Sequence, residues 1–270
     1  MDFDTLLYEL KSDNVLVITL NRPQVLNAFN KQMKKEIREA VESAEADEAV
    51  RCILMTGTGR SFSTGNDMKE AMSGPPLDLE GQRKRLQGEA AFAHLFWDCP
   101  KPVIIAVNGH CLGSACEIVL ACDIVLAAES ATFGVPEVRQ SSGAIILTEP
   151  WNMGLKQVKE FLFTGNTVDA LEAKQMGMVN RVVPDDKLME ESYKLARKIA
   201  AVPAYAVQMA KQAVNKTYEI MGFSQALSQN VELMAILHAT DTPERVWFRE
   251  LVKEKGLKEA MKAREAKFKD

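Results

Sequence analysis

Residues 102–138 read PVIIAVNGHCLGSACEIVLACDIVLAAESATFGVPEV, and this stretch decides the fold. Two continuous apolar runs, VIIAVN at 103–108 and DIVLAA at 123–128, are predicted strands. Strands without hydrophobic–polar alternation are typical of a sheet that is covered on both faces by helices. The glycines and small residues between the two runs let a ligand approach the backbone closely. The stretch therefore predicts an α/β fold with a backbone-lined site beside the sheet.

The segments on the N-terminal side repeat this alternation of strand and helix. NVLVITL at 14–20 and RCILMTG at 51–57 are predicted strands, and residues 79–98 are predicted to be helical. A further helix is predicted after Asn30, where apolar side chains recur at helical spacing between charged ones. Its apolar positions are Met33, Ile37, Val41 and Ala44.

The last third of the chain has a different pattern, with one predicted helix after another. Helical periodicity begins at Leu155 and continues through 204–264, and MVNRVV at 178–183 interrupts it as a predicted edge strand. A helical region this long and apolar packs either on the chain's own core or on a neighbouring subunit.

Composition excludes several classes of protein. A net charge of -4 over 270 residues gives no electrostatic case for binding nucleic acid or an anionic membrane. Charged residues or prolines break each apolar stretch well before it could span a bilayer. The first residues, MDFDTLLYELKSD, lack the features of a secretory signal. Five cysteines in apolar surroundings, without histidines at ligand spacing, indicate reduced thiols, a cytoplasmic protein and no metal site.

Two glycine-containing loops follow predicted strands and precede predicted helices, at 62–67 and 108–117. A loop that opens a helix presents free N–H groups, which can hold an anionic oxygen. A single loop of this kind is better explained as a tight turn. Two such loops, each between a buried strand and a helix, favour a binding site.

Glu117 is the unusual residue of the second loop, because CLGSAC precedes it and IVLAC follows it. Small and apolar neighbours predict a desolvated carboxyl with a raised pKa, which suits proton transfer near neutral pH. Glu137 follows Pro136 and by itself indicates no more than an acidic residue in a first helical turn.

The order and spacing of these motifs resemble the enoyl-CoA hydratase/isomerase, or crotonase, family. The resemblance covers about residues 14–200 and rests on four stretches: NRPQVLNAF (21–29), GRSFSTGNDMKE (59–70), the stretch 102–138, and LFTG followed by DALEAKQMGMVNRVVP (162–184). It implies a spiral of ββα units over 1–200 that binds acyl-CoA. It also implies a helical region over 201–270 that covers the active site and forms homotrimers or homohexamers. No metal, and no cofactor beyond the CoA moiety of the substrate, is implied.

The resemblance also implies roles for individual residues. The backbone N–H groups of Asn66 and of Ser114, where the family usually has glycine, would form an oxyanion hole. Glu117 would activate water and Glu137 would deliver a proton. The residues implied in substrate and CoA binding are Leu26, Ala28, Thr64, Gly65, Asp67, Met68 and Gly113.

Because both glutamates are present, we expect an enoyl-CoA hydratase. A double-bond isomerase and an acyl-CoA hydrolase of the same family remain alternatives, and an RNA-binding protein without catalysis is a weaker one. The sequence departs from the family at 139–151, where a glycine-rich segment is usual, so it leaves the acyl group undetermined. Glu149, within this segment, is interpreted as a solvated helix glutamate.

Overall fold

A computed structural model describes residues 1–268 of this chain, and the described part contains ten strands. They are β1 (Leu6–Leu10), β2 (Val15–Leu20), β3 (Cys52–Gly57), β4 (Ser61–Ser63), β5 (Val103–Val107), β6 (His110–Leu112), β7 (Ile124–Ala128), β8 (Thr132–Gly134), β9 (Val168–Asp169) and β10 (Arg181–Val183). Six of them form one sheet in the order β1-β2-β3-β5-β7-β10, and four form a second sheet in the order β4-β6-β8-β9.

The large sheet confirms the strands predicted from continuous apolar runs. From β2 to β10 each neighbouring pair is parallel, while β1 pairs with β2 in antiparallel fashion. Every residue of β5 is buried, because helices cover both faces of the sheet. β10 lies at the sheet edge, as MVNRVV predicted.

The small sheet explains why the chain winds as a spiral. β3, β5 and β7 of the large sheet are each followed at once by a strand of the small sheet, namely β4, β6 and β8. These short strands were missed, because three residues with glycine on one side resemble a loop. The repeated strand pair gives the expected ββα units.

The ten helices of the described chain largely follow the predicted boundaries. They are α1 (Lys31–Ala46), α2 (Met68–Ala71), α3 (Leu79–Asp98), α4 (Ser114–Val119), α5 (Leu155–Thr164), α6 (Ala170–Met176), α7 (Leu188–Ala200), α8 (Ala204–Ile220), α9 (Phe223–Ala239) and α10 (Pro243–Glu265). Asn30 starts α1 as predicted, because its side chain accepts a hydrogen bond from Met33 N at 2.9 Å. α10 is kinked at Gly256, whose φ is 78°. No helix within 1–268 is long and apolar enough to cross a membrane.

Two hydrophobic clusters flank the large sheet. On one face α7 packs through Leu188 and Ala196 against side chains of β2, β3, β5 and β7. On the other face α1, α3 and α4 pack in the main core together with the buried face of α9, from Phe223 to Ala235. The glycine-containing loops therefore follow strands that are packed on both faces.

An aromatic cluster joins the C-terminal helices to the core. Trp97 of α3 stacks on Phe223 of α9, with ring centroids 4.0 Å apart and an interplanar angle of 17°. Trp151 meets the same Phe223 ring edge to face at 5.3 Å, and it also contacts Tyr218 of α8. α9 is thus fixed against α3 and against the segment that precedes α5.

Candidate active site

The two glycine-containing loops meet in the structure. A Cβ atom added to Gly65 would lie 3.0 Å from Ser114 N and 2.7 Å from Leu112 O, so the loops touch at a point that only a glycine allows. Ser114 is 1 % exposed and is the first residue of α4. Within residues 1–268, neither the Asn66 N–H nor the Ser114 N–H has a protein acceptor. Two backbone donors therefore lie in adjoining loops with no protein acceptor.

The turn at Leu26–Ala28 joins this arrangement through backbone hydrogen bonds. Thr64 N donates to Leu26 O at 3.2 Å, and Phe29 N donates to Gly65 O at 2.8 Å. Leu26 has a φ of 54°, and its carbonyl oxygen faces the first loop at Thr64. The turn and the first loop thus run side by side, and we call their joined main chain the backbone surface.

Asp67 and Met68 lie at the end of this surface. The Asp67 carboxylate accepts hydrogen bonds from Lys69 N and Glu70 N at the start of α2, and it pairs with Arg22 at 3.1 Å. Its side chain is therefore committed within the protein. Met68 is half-buried beside it, as the first residue of α2.

Glu117 is fully buried on α4. Its Oε1 accepts hydrogen bonds from Ile146 N at 2.6 Å and from Leu147 N at 3.0 Å, whereas its Oε2 has no partner. Burial raises the pKa of this carboxyl to about 7, against the lowering effect of the backbone donors. The desolvated glutamate predicted from the apolar flanks is confirmed.

Glu137 faces the same turn from the 3₁₀ helix Pro136–Gln140. Gly113 has a φ of 59°, and a Cβ there would come within 2.5 Å of Glu137 Oε1. Glu137 is half-buried as a residue, but its Oε2 is shielded and has no partner. Burial, followed by the charge of Glu117, raises its pKa to about 8. The structure thus brings Glu117 and Glu137 together on either side of the Gly113–Ser114 turn.

Glu149 was interpreted wrongly as a solvated glutamate. It is fully buried, and neither of its carboxyl oxygens has a hydrogen-bond partner among the described residues. Burial, then the charges of Glu117 and Glu137, raise its pKa well above the ordinary value. The preceding residue, Thr148, donates to the Glu117 carbonyl oxygen at 2.7 Å. This hydrogen bond holds the main chain at Thr148 and Glu149 against α4, in the protein interior. Its sequence neighbours Pro150 and Trp151 gave no signal of this burial.

We call residues 141–149 the supporting segment, because it donates the hydrogen bonds that hold Glu117. α9 fixes this segment with three side chains spaced one helical turn apart. Asn230 donates to Ala144 O and Ile145 O, both at 2.9 Å. Met234 packs on Gly143, and His238 bonds to Ser142 Oγ at 2.5 Å. Sequence reasoning missed these contacts, although the spacing of Asn230, Met234 and His238 marks one face of α9.

The end of α10 closes over the helical turn that carries Glu137. Arg139 pairs with Glu265 at 3.4 Å, and Arg264 is 4 % exposed with its charge close enough to lower the Glu137 pKa. Arg264 Nη1 has no partner within the described chain. A cation near Glu137 was also missed, because the C-terminal sequence is rich in lysine and arginine throughout.

No group of His, Cys, Asp or Glu side chains within 1–268 could hold a metal ion. The five cysteines are unbridged, with four buried and Cys122 partly so. Burial raises the pKa of Cys52 to about 12, which makes that thiol unreactive.

Comparisons with known proteins show the family of this chain. The family model described as enoyl-CoA hydratase/isomerase matches residues 10–270. A probable enoyl-CoA hydratase of Rhizobium meliloti is 37% identical over 247 residues, which is 89% of this chain and 92% of that protein. A probable mitochondrial enoyl-CoA hydratase of Dictyostelium discoideum is 37% identical over 78% of this chain and 75% of its own length.

A solved structure extends the likeness to three dimensions. The enoyl-CoA hydratase/isomerase of Xanthobacter autotrophicus Py2 superposes with a TM-score of 0.95 at 37% identity, and the match covers 100% of both chains. The spiral of strand pairs, the two meeting loops and the match over nearly the whole length have one explanation: this chain belongs to the enoyl-CoA hydratase/isomerase family and has the crotonase fold.

Proposed function

We propose that this protein is an enoyl-CoA hydratase, which adds water across the 2,3-double bond of an enoyl-CoA thioester. One observation carries the proposal: two carboxyl groups with raised pKa values and unpartnered buried oxygens flank the turn that offers a backbone N–H. Hydration needs one carboxylate to take a proton from water and one acid to give a proton to C2. A pair of this kind supplies both.

The N–H groups of Asn66 and Ser114 are proposed to bind the thioester oxygen. As water attacks C3, the electrons of the double bond move toward that oxygen and form an enolate. Donors that are already aimed at the developing charge stabilise it by a factor of about 10²–10³ each. Ser114 serves as well as glycine would, because the donor belongs to the backbone.

Glu117 is proposed as the base and Glu137 as the acid. The pKa of Glu117, about 7, is the lower of the two, since two backbone N–H groups stabilise its charge. Glu137, with a pKa of about 8, keeps its proton to higher pH. The water proton passes to Glu117, the Glu137 proton passes to C2, and the proton on Glu117 then restores Glu137.

CoA is proposed to lie along the backbone surface that begins at Leu26 and Ala28. Thr64 and Gly65 would contact the adenine side through their main chain, and Gly113 would contact the thioester side. Asp67 and Met68 would border the surface, Asp67 by holding Arg22 rather than by touching CoA. No cofactor beyond this CoA moiety is needed for the proposed reaction.

The C-terminal region, residues 201–270, is proposed to form the interfaces of a homotrimer or homohexamer. Large apolar side chains remain exposed on α8 and α9, among them Tyr205 at 72 %, Ile220 at 78 % and Ile236 at 55 %. Faces of this kind mark protein interfaces. Light scattering at micromolar concentration tests the proposal, and a stable, active monomer would contradict it.

The reaction is tested with purified enoyl-CoA thioesters. A hydratase lowers the enoyl absorbance and yields a 3-hydroxyacyl-CoA, which mass spectrometry identifies. An isomerase would instead interconvert 2- and 3-enoyl-CoA, and a hydrolase would release free thiol from a saturated thioester. RNA binding is not favoured, because in the basic stretch KQMKKEIR at 31–38 Lys35 and Arg38 pair with Glu39 and Glu42. Absence of hydration with every thioester, despite tight binding, would refute the proposed reaction.

A further inference from the structure

Two arginines next to the supporting segment lack the carboxylate partner that comparable arginines have. Seven arginines within residues 1–268 are buried or half-buried. Five of these have a carboxylate at 4.0 Å or less: Arg22, Arg38, Arg83, Arg139 and Arg264. Arg85 of α3 and Arg245 of α10 have none. Both guanidinium groups are half-buried without a carboxylate partner, so they keep N–H donors that a ligand could use.

His238 links Arg85 to the supporting segment. Arg85 Nη2 lies 2.6 Å from His238 Nδ1, and His238 Nε2 lies 2.5 Å from Ser142 Oγ. A guanidinium can only donate, so Nδ1 is the acceptor and Nε2 carries the hydrogen. Burial and the charges of Arg85 and Arg245 lower the His238 pKa to about 4, which keeps the ring neutral. Ser142 therefore accepts from His238.

The Ser142 hydroxyl hydrogen is consequently available to a ligand. The nearest acceptor it has in the protein is Gly143 O, at 3.4 Å and in the adjacent residue. An oxygen that already accepts a hydrogen bond from a polarised donor is itself a stronger donor. Arg245 lies beside the same stretch of α9, because its Nη1 donates to Leu237 O, one residue before His238, at 2.6 Å. The N–H groups of Arg85 and Arg245 that remain free, together with this hydroxyl, are the cluster of donors around His238.

The acidic side chains nearest to this cluster are committed elsewhere. Glu89, on the next turn of α3, accepts from Lys34 Nζ with both oxygens at 2.6 Å. Asp241 accepts from Arg249 through both oxygens, at 3.0 and 3.2 Å. Neither carboxylate lies within 4.0 Å of Arg85 or Arg245, so each acts on them only from a distance, and Arg85 Nε donates instead to Gln82 Oε1 at 3.1 Å.

The cluster borders the residues proposed for acid–base chemistry. Ser142 N donates to Glu137 O at 3.1 Å, and the same segment continues to Ile146 and Leu147, which hold Glu117. A group bound by Ser142 would therefore be placed by the same loop that places both carboxyl groups.

We infer that Arg85, Arg245 and Ser142 form a binding site for a carboxylate at the far end of the acyl chain. The inference rests on the proposed function and names its substrate class: enoyl-CoA thioesters that end in a carboxylate. The two carboxylate oxygens match a guanidinium fork and leave lone pairs for the serine hydroxyl. Neutral His238 orients the cluster without adding a charge of its own.

The experiment compares acyl-CoA ligands that differ only at the far end of the acyl chain. Adipyl-CoA and glutaryl-CoA end in a carboxylate, whereas hexanoyl-CoA and pentanoyl-CoA of equal chain length do not. Their Kd values are measured by calorimetry, at neutral pH and two salt concentrations. We expect at least one carboxylate-ended ligand to bind on the order of 10- to 100-fold more tightly than its methyl-ended counterpart, as charge-assisted hydrogen bonds would give.

Three variants assign this preference to the cluster. Arg85→Gln and Arg245→Gln are each expected to reduce the ratio of the two affinities to about threefold or less, and Ser142→Ala is expected to reduce it partly. Arg83→Gln is the matched control, because Arg83 is also on α3 but pairs with Glu80 and Glu232. It should leave the ratio unchanged. Thermal melting of each variant shows that it is folded.

The outcomes separate this inference from the proposed function. Equal affinity of both ligand types for the parent protein overturns the inference but leaves the proposed function intact. If no acyl-CoA binds the parent at all, the proposed function fails and the inference with it. If Arg85→Gln weakens both ligand types equally, and does not weaken their dephospho-CoA forms, the arginines hold the CoA phosphate and the inference is wrong.

Discussion

Two adjoining regions line the site, and they reach their conformations in different ways. The turn 112–117 is local: a short strand, then Gly113 with a positive φ, then the first turn of α4. The supporting segment has little regular structure, and it contains two non-glycine residues, Ser141 and Leu147, with φ of 52° and 61°. It keeps this conformation because α9 holds it from outside. Local sequence sets the conformation of the turn, and contacts from distant residues set that of the supporting segment. The two carboxyl groups, Glu117 and Glu137, depend on both regions.

The largest effect is expected at Glu117 and Glu137, where both regions contribute. Glu117→Gln and Glu137→Gln should each fold, bind acyl-CoA and lose on the order of 10²–10⁴ in turnover. The double variant should be little worse than either single one, because groups that act as a unit are not additive. The measurement is kcat for hydration, with ligand affinity as the control. Hydration by Glu117→Gln at the parental rate would show that Glu117 is not the base.

Two substitutions of Ser114 test the contribution of the turn 112–117 alone. Ser114→Pro removes the backbone N–H and should lose about 10² or more in kcat. Ser114→Ala should keep most activity, because the buried hydroxyl has no partner among the described residues. If both variants lose activity equally, the serine hydroxyl takes part and the backbone interpretation is incorrect.

The pH dependence tests whether the two regions set different pKa values. With Glu117 as the base at about 7 and Glu137 as the acid at about 8, kcat/KM should fall below the first value and above the second. Each limb should approach about tenfold per pH unit. Glu117→Gln should remove the acidic limb from its residual activity. A rate that is flat down to pH about 5 would contradict the assignment of the base.

The contribution of the supporting segment alone is tested by a substitution of Asn230. It is 4 % exposed, and its amide satisfies two buried carbonyl groups. Asn230→Leu should cost about 1–3 kcal/mol in the free energy of unfolding, because both carbonyls lose their donor. Activity should fall with it, since the segment holds Glu117. Gln229→Leu, at an exposed neighbouring position on α9, is the control and should change neither quantity.

The smallest expected effect is that of Glu149→Gln, which should raise the stability of the protein rather than lower it. The pKa of Glu149 is raised in the folded protein, so above the unfolded value of 4.5 the folded state holds a proton that the unfolded state has lost. The stability of the parent therefore falls as the pH rises. Glu149→Gln does not titrate, so its melting temperature should exceed that of the parent by a margin that grows from about pH 5 to about pH 8. A margin independent of pH would show that Glu149 is not desolvated.

The same comparison explains what could be predicted from the sequence. The large sheet, α1, α3, the two glycine-containing loops and the desolvation of Glu117 follow from periodicity and from neighbouring residues. The contacts of Asn230 and His238 join residues 85 to 96 positions apart, and the burial of Glu149 has no signal in its sequence neighbours. Such contacts leave no periodic pattern, and a glutamate before Pro150 has the appearance of an ordinary helix start.

The aromatic cluster gives this protein a built-in optical probe. Trp151 ends the short helical turn that Glu149 begins, and its ring touches Phe223 on the helix that holds the supporting segment. Trp97 stacks on the same Phe223 ring, whereas Trp247 lies on α10 beneath the ammonium group of Lys267. Fluorescence from a variant that keeps Trp151 as its sole tryptophan would therefore report, without a label, on the packing of the Glu149 helical turn against α9.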